Sequence, residues 1–170
     1  MDYLLEASTY RSILIGSFIY ALVILIGAFF VRAPYGRFAS ASWGVSLSPK
    51  WGWFLMELPA TLSFVVFFFA GQNCTQAVPL FFLGVWLLHY GNRGFLFPLL
   101  MRVPKGAKGS FSLMVVVAGW LVTTLHGYLN AVFISHLGTH FTLDWFGDPR
   151  FLIGMSIYAI IEMRSTVRLA

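Results

Sequence analysis

Charge is what this sequence has least of. Asp, Glu, Lys and Arg make up 10% of its 170 residues, against about 25% in soluble domains. The deficit is also uneven, because none of the four occurs in residues 12–31, 58–92 or 109–143. Each stretch can hold at least one helix of the roughly 20 apolar residues needed to cross a bilayer. With 59% hydrophobic residues and a mean hydropathy of +0.81, a chain this short cannot bury its apolar surface against itself, so lipid must cover it. Cysteine is nearly absent as well. The single Cys74 excludes an internal disulfide and any paired-cysteine zinc or redox motif. GxSxG, Walker A and GxGxxG patterns are all missing, so no glycine-rich turn of those kinds holds a nucleotide. No basic run interleaved with aromatics suggests a nucleic-acid partner. Internal repeats, low-complexity tracts and linkers are absent too, which reads as one membrane domain over residues 1–170.

The residues that are present read as an all-α fold, a polytopic transmembrane helix bundle of about five membrane-spanning segments. Polar punctuation places them at about 12–31, 51–70, 78–101, 111–134 and 151–163. The fifth has only about a dozen apolar residues before Glu162 and Arg164, short of a full crossing. The first is too long for a signal-peptide core, lacks a preceding basic region and is followed by Arg32 and Arg37, as in a stop-transfer segment. Basic residues mark cytoplasmic loops. Arg32, Arg37 and Lys50 follow span one, Arg102, Lys105 and Lys108 follow span three, and Arg164 and Arg168 follow the fifth element. The alternate segments hold Arg11 and Arg150 beside Asp2, Glu6, Asp144 and Asp148. The expected topology has the N-terminus outside or lumenal and the C-terminus cytoplasmic. The net charge of +5 then reflects topology and anionic lipid headgroups. Residues 33–49 form the longest connection, expected to lie along the cytoplasmic surface, and Trp51, Trp53 and Trp145 fall near membrane interfaces.

Ionisable residues inside spans are costly in hydrocarbon unless they face a cavity or a partner. Glu57 lies about two turns into span two, with Pro59 two residues on. Proline cannot donate to the helix ladder and crowds the carbonyl four residues back, at Leu55. The pair suggests a kinked segment with its carboxyl turned into the bundle, either as a site residue or as a structural tie. In span three, Tyr90 and Arg93 at i, i+3 and His89 and Arg93 at i, i+4 are helical neighbours. Glu57 is the evident partner for Arg93, and a purely structural ion pair is the competing reading. Span four adds His126, Asn130, Thr123 and Thr124, which could line the same cavity but read more readily as interhelical hydrogen-bonding groups. His136, His140 and Asp144 share a helical spacing, but Gly138 interrupts it and no HExxH is present, so no metal site is expected. Asn73-Cys74-Thr75 fits a glycosylation sequon in a very short outer loop, with little expectation of use.

Four segments carry a family resemblance. Trp53-Phe54-Leu55-Met56-Glu57-Leu58-Pro59 is similar to the Glu-x-Pro segment of the steroid 5α-reductases (3-oxo-5α-steroid 4-dehydrogenases). Leu88-His89-Tyr90-Gly91-Asn92-Arg93 resembles their His-Tyr-x-x-Arg stretch. Phe97-Pro98-Leu99-Leu100-Met101-Arg102 and Asp148-Pro149-Arg150-Phe151 come next, in the family's order. The resemblance implies NADPH-dependent reduction of the carbon–carbon double bond of a 3-oxo-Δ4 steroid or similar enone. It also implies a hydrophobic steroid-like substrate that enters from membrane lipid. Glu57 and Tyr90 match the positions that hydrogen-bond the substrate carbonyl and so are the expected catalytic residues, with Arg93 beside them in substrate binding. As hydride reaches the β-carbon, charge builds on that oxygen, and a phenol with a carboxyl kept neutral by desolvation would stabilise it.

The family has about seven spans. Its Asn-x-His-Ser-Asp motif, with the helices beyond, supplies most of the NADPH contacts. Here Ser156-Ile157-Tyr158-Ala159-Ile160 runs into Ile161-Glu162-Met163-Arg164 without that Asn or Asp. Ser165-Thr166-Val167-Arg168-Leu169 faintly echoes the residues that come after the motif in the family. The expectation is a shortened version of the larger domain, with a loss or frameshift near Ile161, a substrate side that is present and a cofactor side that is incomplete. The alternatives are a relative acting on an enoyl-CoA and a non-catalytic membrane remnant that binds lipid or a partner.

Overall fold

The computed structural model describes residues 1–30, 44–103 and 111–167, with side chains as far as Met163. Arg32, Arg37, Lys105, Lys108 and Arg168, and most of the 33–49 connection, lie outside the described residues. The order is α1 (Asp2–Leu5), α2 (Ala7–Gly27), β1 (Ser46–Leu47), α3 (Pro49–Ala70) and α4 (Ala77–Tyr90). A π-helical turn (Gly91–Leu96), α5 (Phe97–Leu100), β2 (Phe111–Ser112) and α6 (Leu113–Val132) come next. A second π-turn (Phe133–Leu137), a 3-10 turn (Leu143–Gly147) and α7 (Pro149–Val167) complete it. The fold is an all-α membrane bundle, as its composition requires.

Three helices, not five, are long and apolar enough to be read as spans: Ala7–Gly27, Pro49–Ala70 and Leu113–Leu137. The continuous helical run from Ala77 to Leu100 has the length, but His89, Asn92 and Arg93 sit in its middle. In α7, Glu162 and Arg164 dilute the apolar stretch in the same way. Contacts nevertheless show how these two elements lie. Leu83 packs with Phe68, the Trp86 indole N–H donates to the Ala60 carbonyl at 3.3 Å, and Lys50 Nζ donates to the Leu99 carbonyl at 2.7 Å. The Ala77–Leu100 run therefore lies antiparallel to α3 along nearly all of it. Helix α7 runs alongside α4 in the same direction, since Phe151 meets Phe81 and Phe82 and the Tyr158 hydroxyl reaches the Val85 carbonyl at 3.3 Å.

Helices α3 and α6 are parallel and form the principal seam. Serines cap both N-termini: Ser48 accepts from Trp51 N and Ser112 from Met114 N, each offering a side-chain acceptor to an otherwise orphan donor. Pro49 opens α3, where its missing N–H costs nothing. The two-residue ribbon pairs Ser46 with Ser112 and Leu47 with Phe111, tying the two starts together.

Small residues recur every four positions along α6 and into the second π-turn, at Gly119, Thr123, Gly127, Ala131 and Ser135. In membranes such a stripe lets backbones approach where no hydrophobic effect separates helix from lipid. A Cβ on Gly119 would strike Met56, and one on Gly127 would strike Ser63, the Ala60 carbonyl and the Phe64 amide. Phe64, Phe68, Leu83 and Ala131 form the buried cluster beside this seam.

Pro59 shows its effect directly. The Leu55 carbonyl, left without its helical donor, takes the Trp120 indole N–H at 2.7 Å. One residue on, the Met56 carbonyl accepts from the Thr123 hydroxyl at 3.2 Å. The sequence implied the orphaned acceptor, and α6 supplies its donor.

Candidate functional site

Glu57 faces inward from α3 and is 4% exposed, a position that requires a partner. Arg93 provides it, with Nε donating to Glu57 Oε1 at 3.0 Å. Oε2 takes no hydrogen bond from the described residues. The Arg93 guanidinium also lies over the Trp53 ring, 5.4 Å from its centroid, a placement in which the ring quadrupole favours the cation. Gly94 passes close to the Glu57 side chain, and a Cβ there would stand 3.4 Å from Glu57 Cβ.

Arg93 comes from the first π-turn. In such a turn hydrogen bonds run from i to i+5, and single π-turns inside α-helices are frequent at functional sites. The partners these residues find differ from what spacing alone suggested. Tyr90 and Arg93 share one side, but His89 does not join them. Its Nδ1 pairs with Glu162 of α7, and Asn92 Nδ2 donates to the other Glu162 oxygen at 3.0 Å. Glu162, which had read only as charge at the end of a short element, is a tie between α7 and the π-turn.

Tyr90 is 6% exposed. Its ring lies 4.9 Å from Trp86, and no described residue hydrogen-bonds its hydroxyl. Glu57, Tyr90 and Arg93 border one cavity of about 430 Å³, closed on the α6 side by Gly119, Val122, Thr123 and His126, with Met56 beside Glu57. A second hollow of about 420 Å³ lies on the opposite face of α3, walled by apolar residues such as Leu58, Pro59 and Leu62. The first cavity combines the acceptor, donor and cation of the chain's middle with apolar walls, the make-up expected of a small-molecule site.

The other candidates separate. Thr123 makes the interhelical bond expected of it. His126 does not, because its hydrogen bonds go to Asn130 in its own helix, and Thr124 turns to the apolar hollow. His136 accepts from the Gln72 amide at 3.5 Å, whereas His140 packs among Phe133, Phe141 and Trp145. Among the described residues no three His, Cys, Asp or Glu side chains are grouped to hold a metal. Outside the membrane-spanning segments, Arg150 bonds Asp148 through its backbone N–H, Nε and Nη2 at 2.7–2.9 Å. These bonds hold the Asp148 carboxyl down at about 2.

The class this geometry defines is an integral membrane protein with a carboxylate, phenol and guanidinium gathered in one intramembrane cavity. No family model matches the chain. It is 32% identical over 130 residues to the steroid 5-alpha-reductase DET2 of Solanum lycopersicum, covering 76% of this chain and 50% of that protein. It is 31% identical over 156 residues to DET2 of Gossypium hirsutum, covering 91% and 60%. With 3-oxo-5-alpha-steroid 4-dehydrogenase 1 of Bos taurus it shares 30% over 163 residues, covering 93% and 59%. Over that shared part the chain is homologous to the steroid 5-alpha-reductases. It spans about half to three fifths of the length of these curated relatives.

Proposed function

We propose that the cavity takes the enone end of a 3-oxo-Δ4 steroid, in a membrane reductase of its carbon–carbon double bond. The observation that supports this reading is the meeting of Glu57, Tyr90 and Arg93 around one cavity in a chain homologous to steroid reductases. The substrate is rigid and apolar with one terminal carbonyl, so it reaches such a site from the lipid. The Tyr90 hydroxyl, free of other hydrogen bonds, donates to that carbonyl. Glu57 stands beside it, anchored through Oε1 with Oε2 still open, and can share the oxygen once Oε2 carries a proton. Arg93 fixes the Glu57 rotamer and adds positive charge where the oxygen becomes negative. Because hydride addition to the β-carbon creates that charge, donors placed in advance lower the barrier.

NADPH, the reductant that the family implies, supplies hydride when bound. Arg93 is engaged by Glu57 and Trp53 and Lys50 by the Leu99 carbonyl, so neither is offered to its phosphates, and the residues lining the cavity include no other Lys or Arg. Their part is therefore to bind and polarise the enone. The basic loops, by their sequence, face the cytoplasm, with the N-terminus on the other side.

The test is NADPH-dependent reduction of a 3-oxo-Δ4 steroid by the full chain in nanodiscs, with Tyr90→Phe and Glu57→Leu. Loss of one donor to the developing oxyanion is expected to lower turnover on the order of 100-fold. Equal turnover in all three proteins would refute the assignment.

A further inference from the structure

His126 lines the cavity from α6, and its surroundings fix how it does so. Its ring lies 4.9 Å from Trp86 and 6.5 Å from Tyr90, centroid to centroid. Trp86 is itself held by its bond to the Ala60 carbonyl and by stacking on Phe64 at 4.1 Å. One turn further along α6, Asn130 Nδ2 donates to the His126 backbone carbonyl at 2.8 Å. A carbonyl can only accept, so the Asn130 amide must present its NH2 group on this side. The same NH2 group stands 3.2 Å from His126 Nδ1, which must then be the accepting nitrogen. In a neutral imidazole the proton consequently belongs to Nε2. No described residue takes up that N–H, although the ring borders a cavity whose neighbouring hydroxyl, on Tyr90, is likewise unengaged.

We infer that His126 is a further substrate-binding donor, giving its Nε2–H with the Tyr90 hydroxyl to the ketone oxygen of the bound enone, while Asn130 is the positioning residue that fixes its tautomer. The inference rests on the proposed enone-binding function and adds a third group to the site. It also accounts for the arrangement of polar groups. The Glu57–Arg93 pair occupies one wall and His126 another, so an oxygen placed between them meets donors from both helices.

The experiment is difference infrared spectroscopy of androst-4-ene-3,17-dione, carbon-13 labelled at C3, bound to the full chain in nanodiscs. Wild type is compared with His126→Leu and His126→Gln, whose folding is checked by near-ultraviolet circular dichroism. In wild type the C3 carbonyl band moves to lower frequency. His126→Leu loses much of that shift and binds about tenfold more weakly, the size of one hydrogen bond. His126→Gln, which can place an amide N–H near the same point, restores both. An unchanged band and affinity in His126→Leu would overturn the role of His126 and leave the enone reading standing. A folded wild type that binds no steroid would overturn that reading and this inference with it. Imidazole nitrogen-15 spectra provide a separate check, since a protonated Nδ1 in the unliganded chain contradicts the assigned tautomer.

Discussion

Helices α2 and α6 are both long, apolar and supplied with glycine, yet they do different things. In α6, Gly119 and Gly127 are pressed against α3, and no side chain fits at either position. In α2, Gly16 and Gly27 have nothing within contact distance of a would-be Cβ. The residue type is the same and the hydropathy similar, so neither explains the difference. Spacing does. The α6 glycines lie eight residues apart on a stripe continued by Thr123, Ala131 and Ser135, which aligns one narrow face with α3. In α2 the stripe is shorter: Ser8, Ser12 and Gly16 keep the spacing, Tyr20 ends it, and Gly27 lies off it. Helix α2 is fastened mainly near its start, where Tyr10 meets Tyr128 and Phe133 and Ile13 packs against the Tyr128 and Val132 cluster, next to α1, whose Leu4 carbonyl takes the Tyr128 hydroxyl at 2.7 Å. In lipid, close packing rather than hydrophobicity decides which helices pair. The candidate site lies on the closely packed side.

The largest expected break in this contrast is Gly127→Val. Its side chain has only backbone and Ser63 to move, and overpacking of this kind is expected to cost on the order of 3 kcal/mol or more. Gly16→Val, facing open space, should change stability by less than about 0.5 kcal/mol. Comparing the two variants by thermal unfolding in detergent would test the seam. Similar losses in both would refute the role assigned to the α6 stripe.

Second comes Arg93→Leu, which leaves the buried Glu57 without its partner. A loss of about 3 kcal/mol is expected from stranding one member of such a pair. Arg93→Lys should recover only part of it, because Lys lacks a planar fork to lie over Trp53. Full stability in Arg93→Leu, read from denaturant unfolding, would mean that Glu57 is satisfied in another way.

A smaller effect, about 1 kcal/mol, is expected for Trp120→Phe, which returns the Leu55 carbonyl to its proline-made vacancy. In a Pro59→Ala background the helix can donate to Leu55 itself, so the double variant should show little further loss. An equal Trp120→Phe penalty in both backgrounds would contradict the pairing.

The smallest effect lies outside the membrane. Arg150 lowers the Asp148 carboxyl from its ordinary 3.8 to about 2, so the folded state holds that proton more weakly than the unfolded state does. The contribution is present above about pH 4 and fades as pH falls toward 2. A carbon-13 titration should find a midpoint near 2 in the native chain and near the ordinary value in Arg150→Gln. Equal midpoints would break the assignment.

The sequence made some of this plain for physical reasons. Long uncharged runs have no other solution than lipid, which announced a helical membrane bundle. A carboxyl and a guanidinium set among apolar residues require partners, so Glu57 and Arg93 could be paired before either was placed. The role of Pro59 was half visible, since proline marks the orphaned Leu55 carbonyl without indicating that Trp120 would answer it. The π-turn was hidden. Spacing arguments assume 3.6 residues per turn and do not see which helix will supply a partner, and His89 pairs with Glu162 of α7 while Arg93 pairs with Glu57 of α3. The polar middle of the Ala77–Leu100 run likewise made hydropathy a poor guide there, and contacts with α3 had to show its course. His126 was legible as a residue but not as a donor, because its tautomer depends on where the Asn130 amide turns.

The measurement that tests the central claim most directly is photolabelling of the full chain in nanodiscs with a 3-oxo-Δ4 steroid, whose enone is its own photoreactive group, and then mapping of the labelled residues by mass spectrometry. The account predicts adducts on the walls of the first cavity, at Met56, Tyr90 or Val122, competed away by excess unlabelled steroid. Saturable labelling confined to the hollow at Leu58 and Leu62, or to the exposed face of α2, would place the steroid elsewhere and contradict the account.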